Sequence, residues 1–306
     1  MKGSTLRISK KKLFGLAVAI PLVGAMLTGC ASGGSSDAAK GSESNPVKIG
    51  VVGKSDPQWA AFEKAATAEG IHVDIVDFTE YTQPNPALAE KELDLNEFQH
   101  IIYLANSNVK NNQDLTPIGA TAIYPLGLYS KTHDSIDQIP EGGTVAVPND
   151  ETNRARALGV LVDAGLIKLK GEWTAVADSR DVDEAASKVK VKELSADQTA
   201  NGLQDLDGAV VNNDFLKNAD LVGKEPLAQS KPDAESAKPY INIFVSRAED
   251  KDNETYLKLV KIFQENADVQ AALQEASGNT ATPLTTSASE LQELLKTTQD
   301  QITNKA

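Results

Sequence analysis

The sequence predicts an α/β protein whose body consists of two lobes with mostly parallel sheets. Apolar segments with strand-like alternation recur along the chain, and segments of helical composition lie between them. Strands that alternate with helices favour parallel sheets that are covered on both faces. The body, residues 47–285 of 306, is long enough for two such lobes, and no internal repeat is visible.

The strand and helix candidates follow one another in order along the body. The predicted strands are 47–52, 71–78, 116–124, 126–130, 143–147, 208–211 and 241–246. The predicted helices are 57–69, a helix that Asp150 opens and Gly165 ends, and about 253–266.

Residues 286–306 are predicted to form an additional helix. Ser289 to Gln292 has the capping-box pattern, and Leu291, Leu294, Leu295 and Ile302 form an apolar stripe at helical spacing. We expect this extension to pack on the body, with an interaction role as the alternative.

The first thirty residues have the pattern of an export signal. Residues 1–12 carry five positive charges and no acid, and residues 13–27 are apolar but too short for a lasting membrane helix. Residues 1–29 are therefore a predicted signal peptide. The following L-T-G-C motif resembles the lipobox of bacterial lipoproteins, which implies that Cys30 becomes the lipidated first residue. The alternative is an ordinary buried thiol near an ordinary signal peptide.

Residues 30–46 are predicted to be a lipid attachment point followed by a flexible tether. Residues 31–46 are small and polar, and a chain of about sixteen such residues reaches on the order of 20–25 Å. Removal of the signal peptide takes the net charge from −13 to −18. This charge argues against nucleic acid or anionic lipid as a partner.

The motifs of common enzymes are missing or incomplete. G-V-V-G-K-S at 50–55 lacks the first glycine of a phosphate-binding loop, because Lys48 stands there. The three histidines, His72, His100 and His133, have no zinc-site spacing, and no G-x-S-x-G motif occurs. We therefore expect no enzyme, no cofactor and no metal site.

Residues 78–104 concentrate groups that suit a pocket. They contain four of the fifteen aromatic residues of the chain, together with His100. These aromatic residues are Phe78, Tyr81, Phe98 and Tyr103. Phe78 ends a predicted strand, where α/β folds place ligand-facing residues. Phe98 is expected in the core, whereas the polar tips of Tyr81, His100 and Tyr103 favour a pocket edge.

Asparagines and arginines supply further candidates. Asn212 and Asn213 directly follow an apolar strand, and Asn242 lies within another. Each is either a satisfied structural amide or a ligand group. Arg154 has acids three and four residues before it and is expected to form a surface ion pair. Arg156 has none at helical spacing, although it lies near free helix N–H groups that disfavour a cation.

Several segments together resemble the methionine-binding lipoprotein family, the NlpA/MetQ group of extracytoplasmic receptors for ABC importers. The segments are L-T-G-C, V-K-I-G-V, V-D-F-T-E-Y-T-Q-P-N-P-A-L, F-Q-H-I-I-Y-L, Y-P-L-G-L-Y-S, V-P-N-D-E-T-N-R-A-R-A-L, A-G-L-I-K-L and P-Y-I-N-I. The resemblance implies a two-lobe periplasmic-binding-protein-like fold of type II with a hinge. It assigns residues 47–124 plus 242–285 to the first lobe and residues 125–241 to the second.

The resemblance also implies a site that binds methionine through an aromatic wall, an arginine clamp and side-chain amides. The matching positions are Phe78, Tyr81, His100, Tyr103, Asn153, Arg156, Asn212 and Asn242. Arg156 lies one helical turn after Asn153, so its guanidinium and the helix N–H groups form a bidentate carboxylate site. The sequence departs from the usual family pattern at Glu151, Ala155 and Ile101-Ile102. The departure at Ile101-Ile102 lies beside the aromatic wall, so it bears on which ligand side chain the pocket prefers.

These features predict a lipid-anchored methionine receptor, L and D forms included, that serves an ABC permease with its ATPase subunits. It is expected outside the cell, anchored through Cys30 to the outer face of the cytoplasmic membrane. Two alternatives remain open. The same fold could bind another small apolar amino acid, a methionine derivative or a short peptide, or the protein could be a surface lipoprotein with an adhesin or scaffold role.

Overall fold

The computed structural model describes residues 39–232 and 235–305. The predicted signal peptide, Cys30 and residues 31–38 of the predicted tether lie outside the described residues. Among the helices of the described residues, none is both long enough and apolar enough to cross a membrane.

Strands and helices alternate through most of the chain. The strands are β1 (Val47–Val52), β2 (Val73–Phe78), β3 (Leu95–His100), β4 (Thr116–Ala120), β5 (Ala122–Ile123), β6 (Gly127–Tyr129), β7 (Thr144–Pro148), β8 (Lys190–Leu194), β9 (Gly208–Val211), β10 (Ala228–Gln229), β11 (Asn242–Ser246) and β12 (Thr282–Pro283). The α-helices are α1 (Pro57–Ala68), α2 (Pro84–Ala89), α3 (Ile101–Asn111), α4 (Glu151–Asp163), α5 (Ala196–Gly202), α6 (Glu254–Glu265), α7 (Ala267–Ala276) and α8 (Ala288–Lys305).

Two five-stranded sheets carry the fold, as the prediction of an α/β protein requires. The first sheet has the order β2-β1-β3-β11-β4 and the second has the order β10-β6-β9-β7-β8. In each sheet four strands run in one direction, and a single strand, β11 or β6, is reversed. The chain leaves the first sheet after β4 and forms β5, which pairs with β12 in a two-stranded sheet. It then enters the second sheet at β6 and returns to the first between β10 and β11.

Each sheet buries its own apolar core. In the first, Phe62 of α1 and Phe263 of α6 pack with Phe244 of β11, with ring centroids 5.3 to 6.1 Å apart. In the second, Leu158 and Leu161 of α4 pack among apolar residues of β6, β7 and β9. Full burial of such side chains contributes roughly 1.5–3 kcal/mol each, so both halves have substantial cores.

Strand β3 is one of four strands that the sequence analysis does not predict, and the others are β8, β10 and β12. All six residues of β3 are buried although three of its side chains are amides or acids. The amides satisfy one another. Asn85 Nδ2 donates to Gln99 Oε1 at 2.8 Å, and Gln99 Nε2 and Asn96 Nδ2 donate to Asn85 Oδ1 at 2.6 and 2.9 Å. A polar strand can therefore occupy the centre of the first sheet.

Residues 39–46 belong to the body, so the predicted flexible tether does not extend to residue 46. The backbone N–H of Gly41 donates to the Asn45 carbonyl at 2.8 Å, and that of His72 donates to the Gly41 carbonyl at 2.7 Å. Lys40 Nζ forms an ion pair with Asp94 Oδ2 at 2.9 Å. These contacts fix the segment beside β1 and β2.

Helix α8 packs on α3 and β4, which confirms the prediction of a helix docked on the body. Leu291 and Leu295 are buried, and Gln292 Nε2 donates to the Pro117 carbonyl at 3.1 Å. Its capping box lies two residues before the predicted position. The side chains of Ser287 and Glu290 form it, because Ser287 N donates to Glu290 Oε2 and Glu290 N donates to Ser287 Oγ.

Replacement of Leu291 by alanine is expected to lower the free energy of unfolding by about 2–5 kcal/mol, because its side chain is fully buried between α8 and the body. Replacement of the exposed Lys296 on the same helix by alanine should change the free energy of unfolding by less than about 0.5 kcal/mol. Urea unfolding of both variants would measure this. Equal losses would contradict the docked position of α8.

Candidate functional site

A cleft lies where the carboxyl ends of strands from both sheets meet. The cavity inside it has a volume of about 30 Å³. The residues that line it come from the loop after β2, the end of β3 and the start of α3, the end of β9 and the residues after it, the first turns of α4, and the segments where the chain passes between the sheets. They are Tyr81, Phe98, Gln99, His100, Tyr103, Tyr124, Pro125, Leu126, Asn153, Arg156, Asn212, Asn213, Asp214 and Asn242. This is the position at which open α/β sheets place ligands.

The cleft brings together seven of the eight side chains proposed from the sequence, and Phe78 is the exception. Phe78 lies at the end of the edge strand β2 and lines a neighbouring cleft with Asp77 and Thr79. Its ring is directed towards Gly50 of β1, where an added Cβ would approach it to 3.0 Å. The chain then turns, so that Tyr81, three residues later, enters the main cleft.

Helix α4 begins after Asp150 and ends before Gly165, as the sequence predicts, and its first turn faces the cleft. Asp150 caps the helix, because its Oδ1 accepts from the backbone N–H of Asn153 at 2.9 Å. Gly165 follows the helix with a φ of +70°. The Asp150 carboxylate also accepts from Asn153 Nδ2 at 3.1 and 3.2 Å. This orients Asn153 so that its Oδ1 points away from the helix.

Asn153 Oδ1 accepts from groups of both sheets. Asn212 Nδ2 donates to it at 3.0 Å, and His100 Nε2 lies 3.1 Å away. The backbone N–H of Tyr103 donates to His100 Nδ1 at 3.2 Å, so the proton of the neutral ring resides on Nε2. Burial and the nearby Arg156 charge lower the pKa of His100 to about 3. His100 is therefore a neutral donor at physiological pH.

Asn212 has one side-chain acceptor that no described residue satisfies. Its Nδ2 is committed to Asn153, and its buried Oδ1 has no hydrogen-bond partner within the described residues. A buried acceptor without a partner costs roughly 1–3 kcal/mol. Asn242 also lines the cleft, and its Nδ2 makes only a long bond of 3.4 Å to the Tyr240 carbonyl. Both amides therefore have capacity for a ligand.

Arg156 is a buried cation. Only 7% of its surface is exposed, and it forms no salt bridge within residues 39–232 and 235–305. Neutral groups hold it in place. Its Nη2 donates to the Tyr124 carbonyl at 2.7 Å and to Ser230 Oγ at 3.1 Å, and its Cζ lies 4.4 Å from the Tyr240 ring centroid. Burial lowers its pKa to about 10, so it stays charged at neutral pH.

Arg154 forms ion pairs, but not with Asp150 and Glu151, the acids that precede it at helical spacing. Its Nη2 lies 2.9 Å from Asp178 Oδ2, and its Nη1 lies 3.2 Å from Glu193 Oε2. Asp150 is engaged in capping, and Glu151 pairs with Lys110 instead. Arg154 points away from the cleft and does not line it.

Aromatic rings close one side of the cleft. Tyr81 stands at the centre, with its ring centroid 5.3 to 6.0 Å from those of Phe98, Tyr103 and Phe215. Phe98 is 5% exposed and also lines the cleft, so the expected core residue serves both purposes. Tyr103 donates its hydroxyl to the Tyr81 carbonyl at 3.0 Å. The result is a rigid apolar wall with polar edges.

Several residues of the site escaped the sequence analysis, notably Asp214 and Tyr240. Asp214 lies two residues after Asn212, and Tyr81 donates its hydroxyl to Asp214 Oδ2 at 2.7 Å across the cleft. Burial, chiefly, raises the pKa of Asp214 to about 7. The position after a strand was a usable signal for Asp214. The stacking of Tyr240 on Arg156 depends on the fold.

Glu97 is a second buried acid close to the site. Thr121 Oγ1 donates to its Oε1 at 2.7 Å, and only 7% of the residue is exposed. Burial raises its pKa to about 8, with a smaller contribution from Asp214. Glu97 is therefore largely protonated at neutral pH.

The two sheets and the cleft between them define the class of two-lobed, substrate-binding α/β proteins. More specifically, the chain belongs to the NlpA lipoprotein family, whose family model matches residues 47–285. This confirms the family resemblance and the fold that the sequence predicts. Membership in this family implies a membrane-anchored location outside the cytoplasm.

Named relatives cover most of the chain. The probable D-methionine-binding lipoprotein MetQ of Pasteurella multocida is 35% identical over 272 residues, 87% of this chain and 96% of the relative. The substrate-binding protein of a methionine transporter from Streptococcus pneumoniae is 35% identical with a TM-score of 0.72, covering 78% of this chain and 95% of its own. A nutrient-binding protein from Burkholderia cenocepacia, solved bound to methionine, is 34% identical with a TM-score of 0.70, covering 78% and 99%.

The raised pKa of Glu97 predicts a pH dependence of stability. The unfolded chain ionises this group above about pH 4.5 and the folded chain only near pH 8, so its contribution to stability is lost as pH rises through this window. We expect Glu97→Gln, which keeps the acceptor for Thr121, to raise the unfolding free energy at pH 8 by up to roughly 4 kcal/mol. The gain should be small at pH 4.5. Denaturant unfolding at both pH values tests this, and equal effects would contradict it.

Proposed function

We propose that this protein is a lipid-anchored receptor that binds methionine in the cleft and delivers it to the permease of an ABC importer. The observation that carries the proposal is Arg156, a buried guanidinium that lines the cleft without an acidic partner. A buried charge without a counter-ion is costly, so the site is suited to an anion supplied from outside.

The ligand carboxylate binds at the Arg156 end of the cleft. The Nη2 atom of Arg156 is engaged by Tyr124 and Ser230, whereas its buried Nε has no hydrogen-bond partner. A carboxylate forms two parallel hydrogen bonds with a guanidinium fork, which gives orientation as well as energy. The first turn of α4, which carries Asn153, lies at the same end and adds the favourable field of a helix N-terminus.

The ligand ammonium binds among the free acceptors. Asn212 Oδ1 is buried without a partner, and Asn242 lies on the same cleft. The aromatic wall of Tyr81, Phe98 and Tyr103 encloses the side chain, because a thioether sulfur packs favourably against aromatic rings. The names of the Pasteurella and Streptococcus relatives and the methionine in the Burkholderia structure support methionine as the ligand.

The two lobes close on this ligand. We assign residues 47–124 plus 242–285 to the first lobe and 125–241 to the second, because the chain passes between the sheets at these points. Hydrogen bonds from His100 to Asn153 and from Tyr81 to Asp214 join the lobes across the cleft. Hinge closure of this kind presents a distinct shape to the permease and its ATPase subunits.

The receptor acts outside the cytoplasmic membrane. Cys30 carries the lipid that anchors it to the outer face of that membrane, and the segment after it connects the anchor to the body. The site binds and releases the ligand without a chemical reaction.

The two arginines of α4 provide a matched test of the clamp. Arg156→Ala should weaken binding of L-methionine by more than about a hundredfold, because it removes the charged end of the site. Arg154→Ala, on the outer face of the same helix, should bind within about threefold of wild type, since Arg154 pairs with Asp178 and Glu193 outside the cleft. Titration calorimetry on ligand-stripped mature chain measures both. Equal losses would contradict the assignment of roles.

Ligand selectivity tests the aromatic wall. L-methionine, D-methionine, leucine and glycyl-methionine are titrated in turn into the stripped wild-type chain. We expect one-to-one binding of methionine that is tighter than leucine binding by up to about tenfold, because a contact between sulfur and an aromatic ring contributes about 0.3–1.5 kcal/mol. Absence of binding by all four would mean that the fold serves another ligand or an adhesin role.

A further inference from the structure

Asp214 is a carboxyl group that lines the cleft without a cation to neutralise it. It forms no salt bridge within the described residues, since the nearby Lys217 lies against Asp56, at 3.7 Å. Tyr81 donates its hydroxyl to Oδ2 at 2.7 Å. A carboxylate offers about four acceptor positions, so capacity for a further donor remains.

The groups around Asp214 increase its need for a positive partner. The titratable and charged groups that face it are Tyr81, Asp56, Glu97, Tyr124 and Lys217. All but Lys217 are acids or phenols, and Lys217 is engaged by Asp56 and by the Ser55 carbonyl at 2.9 Å. Burial and the nearby Asp56 hold the pKa of Asp214 near 7, so a cation that enters the cleft finds a carboxyl ready to ionise.

We propose that Asp214 is the counter-ion of the ligand's ammonium group and makes the cleft selective for zwitterions. This inference rests on the proposed function. Arg156 and Asp214 line the same cleft, one an unpaired cation and the other an acid without a cationic partner. The partner-free Asn212 Oδ1, two residues before Asp214, supplies a neutral acceptor beside it. The two charges of an amino acid thus match the two ends of the site.

Binding is then linked to proton release and to lobe closure. A ligand ammonium favours the ionised form of Asp214, so below about pH 7 the protein loses a proton when it binds. Affinity therefore rises with pH up to that value and then levels off. The ionised carboxylate also strengthens the hydrogen bond from Tyr81, because bonds to charged acceptors are roughly twice as strong as neutral ones. Tyr81 belongs to the first proposed lobe and Asp214 to the second.

The test compares L-methionine with 4-(methylsulfanyl)butanoate, the same molecule without its amino group. Both are titrated calorimetrically into the purified mature chain at about pH 5.5 and about pH 8.5. The variants are Asp214→Asn, which preserves shape, and the control Asp220→Asn, an exposed residue with φ of 56° that asparagine tolerates well. Tyr81→Phe removes the hydroxyl group that donates a hydrogen bond to Asp214.

We expect Asp214→Asn to weaken methionine binding by roughly tenfold to a hundredfold, the range for a hydrogen bond to a charged group, and to abolish its pH dependence. Binding of the amine-free acid should stay within about twofold, which also shows that the variant is folded. Tyr81→Phe should lose less than Asp214→Asn, and Asp220→Asn should match wild type.

Three results would overturn the inference. Unchanged methionine affinity and pH profile in Asp214→Asn would do so and leave the proposed function standing, as would equal losses for both ligands. Failure of wild type to bind methionine at all would instead reject the proposed function, and this inference with it.

Discussion

The buried guanidinium of Arg156 is the constraint on which the arrangement of the cleft depends. Removal of a charge from water costs several kcal/mol unless polar groups replace the lost hydration. Here neutral groups replace part of it, namely the carbonyl of Tyr124, the hydroxyl of Ser230 and the ring of Tyr240, and the buried Nε is left without a partner within the described residues. All three lie in the segments where the chain passes between the sheets. The cation thus ties both crossings to helix α4 without any acid that would compete with a ligand.

Neutral polar groups complete the other walls. The Asp150 carboxylate accepts hydrogen bonds from the first turn of α4 and from the Asn153 side chain. Asn153 Oδ1 in turn accepts hydrogen bonds from Asn212 and His100. His100 contributes no charge, because burial beside Arg156 keeps it unprotonated. The cleft therefore has one cationic end and one acidic end, and the amides of Asn153 and Asn212 and the neutral ring of His100 also line it.

The sequence predicted most of the cleft because its residues follow local rules. Asp150 and Gly165 bound α4 through capping, and the lack of an acid at helical spacing singled out Arg156. Asn212 and Tyr103 were candidates because polar tips next to apolar segments need partners. These inferences required only short stretches of chain.

Features that depend on distant contacts could not be predicted in this way. Strand β3 looks too polar for the centre of a sheet until Asn85, from α2, is seen to satisfy its amides. Asp214 gains its importance from Tyr81, which is 133 residues away. Arg154 takes Asp178 and Glu193 as partners because they approach from other elements and Asp150 is already engaged. Phe78 fell outside the cleft because the chain turns after the edge strand β2.

The attachment of residues 39–46 and of helix α8 has a mechanical consequence. Both pack on the first sheet, beside β1 and β2 in one case and on β4 in the other. In the proposed mechanism the first lobe is therefore the larger, fixed part, and the second moves about the two crossings of the chain, between β5 and β6 and between β10 and β11. Two connections allow fewer relative motions than a single linker would, which favours one closed arrangement of the proposed lobes over several.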